Sequence, residues 1–335
     1  ERWQRRRTGR TTGSWQTNPR LTKKEQGVIS SLLGVDHVGV GVRDIESVKS
    51  FYRDAFGFET VLFQMPEEDH QGMHELLRAP RAVHSSQLLS QETGGPTLAL
   101  FHATDPTPRP IRKDFRYGDI GVGKITFAVP DLTAFCQEKG TYIDFCSAPK
   151  DTELEGGDAY RFVYARDPEG NLVEIVADSA GASGGGPVLH SVGIAVTDLE
   201  RSLAFYRDVL GFDRTVMAPH GSFSGLVDEL TGETGTTVRS CLQANSRGRG
   251  MVELFEVTKP RGRSIPFGTQ WGDFGYLQVC LFASDLDTLT AQLEAEPPDV
   301  LLSLQAIDDP EYPAKFMYLR DPDGVPVEVV VPAYG

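Results

Sequence analysis

The sequence predicts an α+β fold built from four similar modules, each with one helix and several strands. Residues 37–174 recur at 191–328 without a gap, and this constant shift of 154 positions marks a tandem duplication. Within each half, a valine-rich strand followed by Asp-Ile or Asp-Leu occurs at the start and again near Lys124 or Gln278. Two copies of a two-module domain therefore account for the body of the chain.

The first module shows why each element is expected. Small or polar residues alternate with valines in residues 37–42, a pattern typical of a strand with two unequal faces. A helix follows, because Asp44 is a suitable N-cap, an apolar stripe recurs at helical spacing, and Gly57 is placed to end it. Runs rich in Val and Leu, such as 97–101 and 251–257, give the later strands. The small or polar face of each first strand is expected to line a cavity.

The predicted organisation is a basic tail (1–29), a first domain (30–178), a linker (179–187) and a second domain (188–335). The linker sequence SAGASGGGP has the composition of a flexible connection. Two module pairings stay open. The first module pairs with the second and the third with the fourth, which the site assignment below assumes, or the first pairs with the fourth.

Composition restricts the partners and the compartment. The net charge of −14 hides a tail with eight Lys or Arg against two Glu, so the rest of the chain carries about −20. An acidic body repels phosphate backbones, and nucleic acid is not an expected partner. No apolar run is long enough to span a membrane and no signal-peptide core opens the sequence, so a cytoplasmic protein is expected. The four cysteines lie far apart, without metal-binding or disulfide spacing.

The repeated segments resemble the vicinal oxygen chelate superfamily, which includes glyoxalase I, extradiol dioxygenases and bleomycin-resistance proteins. The resemblance covers about residues 35–333 and is carried by three segments, DHVGVGVRDIESVKSFYRDAFGF, RDPEGNLVEIV and RDPDGVPVEVV. It implies two tandem glyoxalase-like domains made of four βαβββ modules, whose sheets curl into cups. Fold alone does not fix the chemistry.

The family's metal-ligand positions, carried over residue by residue, give one set in each half. The first half offers His37, Ala99, Lys124 and Glu174, and the second offers Ser191, Glu253, Gln278 and Glu328. We expect Glu253, Gln278 and Glu328 to form an all-oxygen site in the second cup, which suits Mg²⁺ or Mn²⁺, with Fe, Zn or Ni as alternatives. In the first cup an ion pair between Lys124 and Glu174, with His37 beside it, is expected to fill a lost metal site or to transfer protons.

Three further histidines and two tyrosines have a structural interpretation beside the functional one. His190 lies one residue before the ligand position, so only a β-bulge brings it into the second site. His70 and His74 have a spacing that can clamp a metal, but without a nearby Glu a solvated lid is the favoured interpretation. Tyr164 and Tyr318 each precede a strand glutamate by ten residues and fit a site or a core equally well.

The favoured function is a small-molecule enzyme that performs divalent-metal-assisted isomerase or lyase chemistry through an enolate-like intermediate. One alternative is a metal-free binding or resistance protein of the bleomycin-resistance type, and another is an extradiol-type dioxygenase. A homodimer is one arrangement the sequence allows. The candidate catalytic residues are Glu328, Glu253, Lys124 and Glu174, and the candidate metal ligands are Glu253, Gln278, Glu328 and His37.

Overall fold

The computed structural model describes residues 31–155, 157–178, 185–265, 271–285, 289, 300–307 and 313–332. The predicted tail and most of the predicted linker lie outside these residues. Among them no helix is long and apolar enough to cross a membrane.

The described residues follow the predicted order of four modules. The first half contains β1 (Leu32–Gly41), α1 (Ile45–Phe56), β2 (Thr60–Asp69), α2 (His74–Leu77), β3 (Val83–Ser90), β4 (Thr97–Asp105), β5 (Gly121–Val129), α3 (Leu132–Lys139), β6 (Asp144–Phe145), β7 (Lys150–Glu153), β8 (Ala159–Arg166) and β9 (Leu172–Ala177). The second half contains β10 (Val188–Ala195), α4 (Leu199–Asp208), β11 (Arg214–His220), α5 (Asp228–Thr231), β12 (Thr237–Ala244), β13 (Met251–Lys259), β14 (Gly275–Ala283), β15 (Val300–Ile307), β16 (Ala314–Arg320) and β17 (Pro326–Pro332). A short 3₁₀ turn, Gln71–Met73, precedes α2.

The predicted caps of α1 are confirmed. The Asp44 side chain accepts hydrogen bonds from the backbone N–H groups of Glu46 and Ser47, which lack partners within the helix. Gly57 ends the helix with φ 79°, a left-handed conformation that glycine adopts without steric cost. The helix that follows β1 is therefore bounded by Asp44 at its start and Gly57 at its end.

The strands form two sheets, and each sheet takes one module from each half. One has the order β15-β16-β17-β14-β1-β4-β3-β2, and the other has the order β11-β12-β13-β10-β5-β9-β8-β6, with β7 paired to β8. Antiparallel pairing of β1 with β14 joins modules one and four, and pairing of β5 with β10 joins modules two and three. The assumption that modules of the same half share a cup is wrong. We call the two concave faces the 1/4 cup and the 2/3 cup.

The modules of one half meet through the main core instead. Phe56 of α1 stacks on Phe127 of β5 with ring centroids 3.9 Å apart. The helix α1 belongs to module one, whose strands lie in one sheet, whereas β5 is a strand of the other sheet. The Tyr52 hydroxyl donates to Asp167, in the turn between β8 and β9, at 3.0 Å. One cluster of buried apolar residues contains side chains of both sheets and of their helices. The tandem glyoxalase-like halves are thus interlocked, and every cup is lined by residues from both.

Candidate functional site

The 2/3 cup is centred on a buried lysine between two carboxylates. The Lys124 Nζ lies 2.7 Å from Glu174 Oε2 and 2.8 Å from Glu253 Oε2, and none of the three side chains is more than 2 % exposed. The predicted ion pair of Lys124 with Glu174 is confirmed. Glu253 completes it because β13 and β5 lie on either side of β10 in one sheet. The ammonium group therefore occupies the centre of the cup.

The two glutamates have further hydrogen-bond partners besides Lys124. Thr126 Oγ1 donates to Glu174 Oε2 at 2.8 Å, and the Tyr164 hydroxyl donates to Glu174 Oε1 at 2.7 Å. Ser240 Oγ donates to Glu253 Oε1 at 2.5 Å. Buried carboxylates are tolerated when every oxygen is paired in this way. Every carboxylate oxygen of Glu174 and Glu253 is therefore hydrogen-bonded within the protein, and neither glutamate is left free for a metal.

Aromatic rings close the 2/3 cup over the lysine. The Lys124 Nζ lies 5.7–5.9 Å from the ring centroids of Tyr117, Tyr164, Phe223 and Phe255. Burial opposes the charge of Lys124, but Glu174 and Glu253 outweigh it and hold the pKa of the ammonium above its ordinary value. A permanently charged lysine cannot be a metal ligand. The ammonium group of Lys124 therefore takes the place that a metal would have in the 2/3 cup.

The 1/4 cup brings together His37, Gln278 and Glu328. The His37 Nε2 lies 3.2 Å from Glu328 Oε2, and the Gln278 Nε2 donates to the same oxygen at 2.7 Å. Gln278 also donates to the Tyr318 hydroxyl at 2.9 Å, while its Oε1 is buried and has no hydrogen-bond partner. Two nitrogen atoms, His37 Nε2 and Gln278 Nε2, therefore converge on one oxygen of Glu328 at the bottom of this cup.

Two expected groupings are wrong for the same reason. Glu253 is expected beside Gln278 and Glu328, and His37 is expected beside Lys124. In both cases the expected partners lie in different sheets. The antiparallel register places Gly39 opposite Gln278 in one sheet and Gly193 opposite Lys124 in the other. Modules one and four share one sheet, and modules two and three share the other. Each cup therefore takes two of its four ligand positions from the first predicted set and two from the second.

Asp36 is a site residue that the sequence analysis missed. Strict alternation places it on the opposite face from His37, but the pairing of β1 with β14 is irregular between Val35 and His37. Asp36 Oδ2 consequently lies 2.9 Å from His37 Nδ1. Burial lowers the basicity of His37, but Glu328 and Asp36 outweigh burial and raise its pKa to about 10. Without a metal, His37 is an imidazolium held between two carboxylates.

A cavity of about 800 Å³ connects the 1/4 cup with the outside. It lies where the first residues of β5 and β14 approach each other, and it reaches Gln278, Tyr318 and Trp271 of the 1/4 cup. Its lining contains neither His37 nor Glu328, nor any of the three charged residues of the 2/3 cup. Its volume is in the range of small-molecule sites. Among the described residues that line the cavity, Gln278 is the one that the sequence analysis gave as a metal ligand, so the cavity meets the 1/4 cup at its central amide.

The cavity is basic although the chain is acidic. Its lining includes five basic side chains and two acidic ones, and Arg43 forms an ion pair with Glu169. The second acidic residue, Asp323, is paired with Arg201. Arg112 is in turn paired with Asp119, outside the lining. The excess of basic over acidic side chains in the lining still favours an anionic ligand. The other basic residues of the lining are Arg78, Arg112, Lys113 and Arg320.

The other candidate histidines have separate partners. The His190 Nδ1 lies 3.3 Å from Ser191 Oγ. The pairing of β10 with β5 is irregular between Leu189 and Ser191, which is the feature that a ligand role of His190 would have required. The His70 Nε2 lies 3.1 Å from the His84 carbonyl oxygen. The His74 Nε2 lies 2.7 Å from Asp69 Oδ1. Among the described residues, the metal-type cluster of His, Cys, Asp or Glu donors includes neither His70 nor His74.

Comparisons with known proteins agree with this architecture. A family model described as "Glyoxalase/Bleomycin resistance protein/Dioxygenase superfamily" matches residues 34–175 and 188–329. The lactoylglutathione lyase of Schizosaccharomyces pombe is 24 % identical over 311 residues, which cover 88 % of this chain and 95 % of the relative. Protein YaeR of Escherichia coli, which is uncharacterised, is 29 % identical over 142 residues, covering 42 % of this chain and 93 % of YaeR.

Two solved structures share the fold over most of the chain. A mutant of glyoxalase I from Zea mays has a TM-score of 0.56 at 16 % identity and covers 89 % of this chain and 93 % of its own. A putative dioxygenase from Bacillus subtilis has a TM-score of 0.55 at 14 % identity and covers 91 % of this chain and 87 % of its own. At these identities the likeness concerns the fold alone.

Proposed function

Because the chain belongs to the glyoxalase/bleomycin resistance protein/dioxygenase superfamily, we propose that its 1/4 cup is a divalent-metal-assisted isomerase or lyase site for an anionic small molecule. The observation that carries the proposal is the asymmetry of the cups. Donor groups converge beneath an open basic cavity in the 1/4 cup, whereas Lys124 fills the 2/3 cup. One reactive site per chain follows.

The residues of the 1/4 cup fit a divalent cation. The buried Gln278 Oε1 lacks a partner, which is costly unless a ligand or cation uses it. Asp36 accepts the Nδ1 proton of His37, an arrangement that fixes the ring and leaves Nε2 as the ligand atom. Glu328 adds a carboxylate, and a bound cation would relieve the direct contact of Glu328 with an imidazolium. His37, Gln278 and Glu328 are therefore the proposed ligands.

When bound, the cation supplies a positive charge that stabilises a developing oxyanion on the substrate. The chain's own residues position the substrate and move its proton. The basic lining attracts the anionic end, and the Tyr318 hydroxyl reaches the cavity from the bottom of the cup. Glu328 is the proposed general base: displaced from the cation by the substrate, its carboxylate would accept a proton from a carbon next to a carbonyl group. Position 99, equivalent to Glu253, is an alanine and contributes no carboxylate.

A metal-free binding protein is the second candidate, and the direct contact between His37 and Glu328 favours it. In that case the ion pair itself fills the 1/4 cup, as Lys124 fills the other. Extradiol dioxygenation is supported less, since the donor set has one histidine and one carboxylate instead of the two histidines and one carboxylate of non-haem iron oxygenases. Oxygen uptake with a catechol tests that alternative.

Calorimetric titration with Mn²⁺ and Zn²⁺ tests metal binding. We expect one site per chain in the full-length protein. Glu328→Gln should weaken binding at least about tenfold, whereas Glu174→Gln, the matched change in the other cup, should leave it unchanged. Equal binding by wild type and Glu328→Gln would refute the proposed ligands. A protein that binds neither ion would be assigned to the metal-free class.

Hydrogen exchange in D₂O tests the chemistry. Lactoylglutathione, the compound in the name of the S. pombe relative, is the first candidate to assay for exchange at the carbon next to its carbonyl group. Exchange by the metal-loaded protein should fall about 100-fold or more in Glu328→Gln. Loss of exchange in Glu174→Gln with full activity in Glu328→Gln would move the chemistry to the 2/3 cup.

A further inference from the structure

Cys280 is a buried thiol in the wall of the 1/4 cup. It follows Gln278 by two residues on β14, so both side chains lie on the concave face of the sheet. In the strand register Cys280 lies opposite His37 on one side and opposite Glu328 on the other. The thiol is therefore surrounded by the proposed ligands.

Distances support a shared site. Among the described residues, the one group of donor atoms compact enough for a metal consists of Asp36, His37 and Cys280, whose donor atoms all lie within 4.8 Å of one another. Ligands of a tetrahedral zinc ion, at about 2.0–2.3 Å from the metal, lie roughly 3–4 Å apart. Glu328 is not part of this group, so a cation held by both Cys280 and Glu328 requires their side chains to move toward each other.

The matching residue of the 2/3 cup shows what this position does without a metal. Thr126 donates a hydrogen bond at 2.8 Å to Glu174, which completes the network around Lys124. Cys280 has a thiol there, a weak donor, whose hydrogen bond to the Leu281 carbonyl oxygen is 3.8 Å long. The chain thus places a soft sulfur donor in the cup that has an orphaned Gln278 oxygen.

We propose that Cys280 is a metal ligand, and that its thiolate makes the 1/4 cup selective for a thiophilic ion such as Zn²⁺ over Mg²⁺ or Mn²⁺. This inference rests on the proposed function, in which the same cup binds a metal. His37, Gln278, Glu328 and Cys280 supply one nitrogen, two oxygens and one sulfur, a donor set that suits zinc. Binding breaks the S–H bond, forms the metal–sulfur bond and releases the proton to solvent. Asp36 keeps its place behind His37.

Cobalt(II) is the probe, because a thiolate ligand gives Co²⁺ an intense near-ultraviolet charge-transfer band. Titration of the full-length protein should produce this band with one Co²⁺ per chain. Cys280→Ser and Cys280→Ala should abolish it and weaken Zn²⁺ binding about 10- to 100-fold, while Mn²⁺ binding changes less than about threefold. Cys136→Ser, which alters a half-buried thiol on α3, is the control and should keep the band.

The variant His37→Ala distinguishes a failure of the Cys280 inference from a failure of the proposed metal site. If Co²⁺ binds to wild type without the band, and His37→Ala abolishes binding, the cup holds a metal but Cys280 is not a ligand. An unchanged band in both Cys280 variants also overturns the inference. If wild type binds no Co²⁺ at all, the proposed metal function fails together with it.

Discussion

Lys124 and Gln278 occupy the same position in the two repeats, and they give the cups opposite properties. The ammonium of Lys124 compensates Glu174 and Glu253 permanently, so its cup needs no ion. The amide of Gln278 is neutral and leaves Glu328 to be compensated by His37 or by a metal. A single side chain at the centre of each cup therefore separates a structural site from a candidate reactive one.

Lys124→Met should destabilise the protein strongly, because it leaves two buried carboxylates without a cation. Removing one member of a buried ionic group typically costs about 3–5 kcal/mol of unfolding free energy. Urea denaturation measures the effect. The control is the triple change Lys124→Met, Glu174→Gln and Glu253→Gln, which removes all three charges and should recover most of the stability. A cost below about 1 kcal/mol for the single variant would contradict the role given to Lys124.

At the scale of elements, the RDPEG turn of the first half and the RDPDG turn of the second half each connect the two modules of their own half. Asp167 accepts from the backbone N–H groups of Glu169 and Asn171, and Asp321 accepts from those of Asp323 and Val325. The helix tyrosines Tyr52 and Tyr206 donate to the same carboxylates. These turns fasten the helix of one module to the last hairpin of the next module.

Burial raises the pKa of Asp321 to about 7 and that of Asp167 to about 6, although hydrogen bonds oppose the shift. Between the ordinary pKa near 3.8 and the raised pKa, each of these carboxyl groups is therefore protonated in the folded state and ionised in the unfolded chain. Stability from these groups is complete below the ordinary pKa and is lost as the pH rises through the folded pKa.

The unfolding free energy of wild type minus that of Asp321→Asn should thus fall between pH 4 and 7, by at most about 1.4 kcal/mol per pH unit. Asp167→Asn, the matched variant, should show the same fall ending near pH 6. Denaturant titrations at several pH values measure both. A difference that stays constant from pH 4 to 8 would contradict the shifted pKa values.

The sequence predicted the elements well and their assembly poorly. Alternating faces and caps located β1, α1 and their repeats, because these signals depend on neighbouring residues. The choice between the two module pairings depends on contacts more than 200 residues apart, such as Gly39 with Gln278. Asp36 was missed because a bulge reverses its face. The inward position of Cys280 follows from alternation with Gln278, but its partners follow only from the pairing.

At the scale of the whole molecule, the two halves are held together by strand pairing in both sheets. A protease site placed within residues 179–187 should therefore allow the connection to be cut without separating the halves. We expect the cut protein to elute as one species of unchanged size in native buffer, and as two fragments in denaturant. Separation in native buffer would contradict the interlocked arrangement of modules.

The central claim is that one cup, built from the first and last modules, holds a metal while the other is filled by Lys124. Anomalous diffraction at the zinc edge, from crystals of the full-length protein grown with Zn²⁺, tests it most directly. The predicted result is one peak per chain within bonding distance of His37 Nε2 and a Glu328 oxygen. A peak between Glu174 and Glu253, or no peak in the 1/4 cup at saturating Zn²⁺, would contradict the claim.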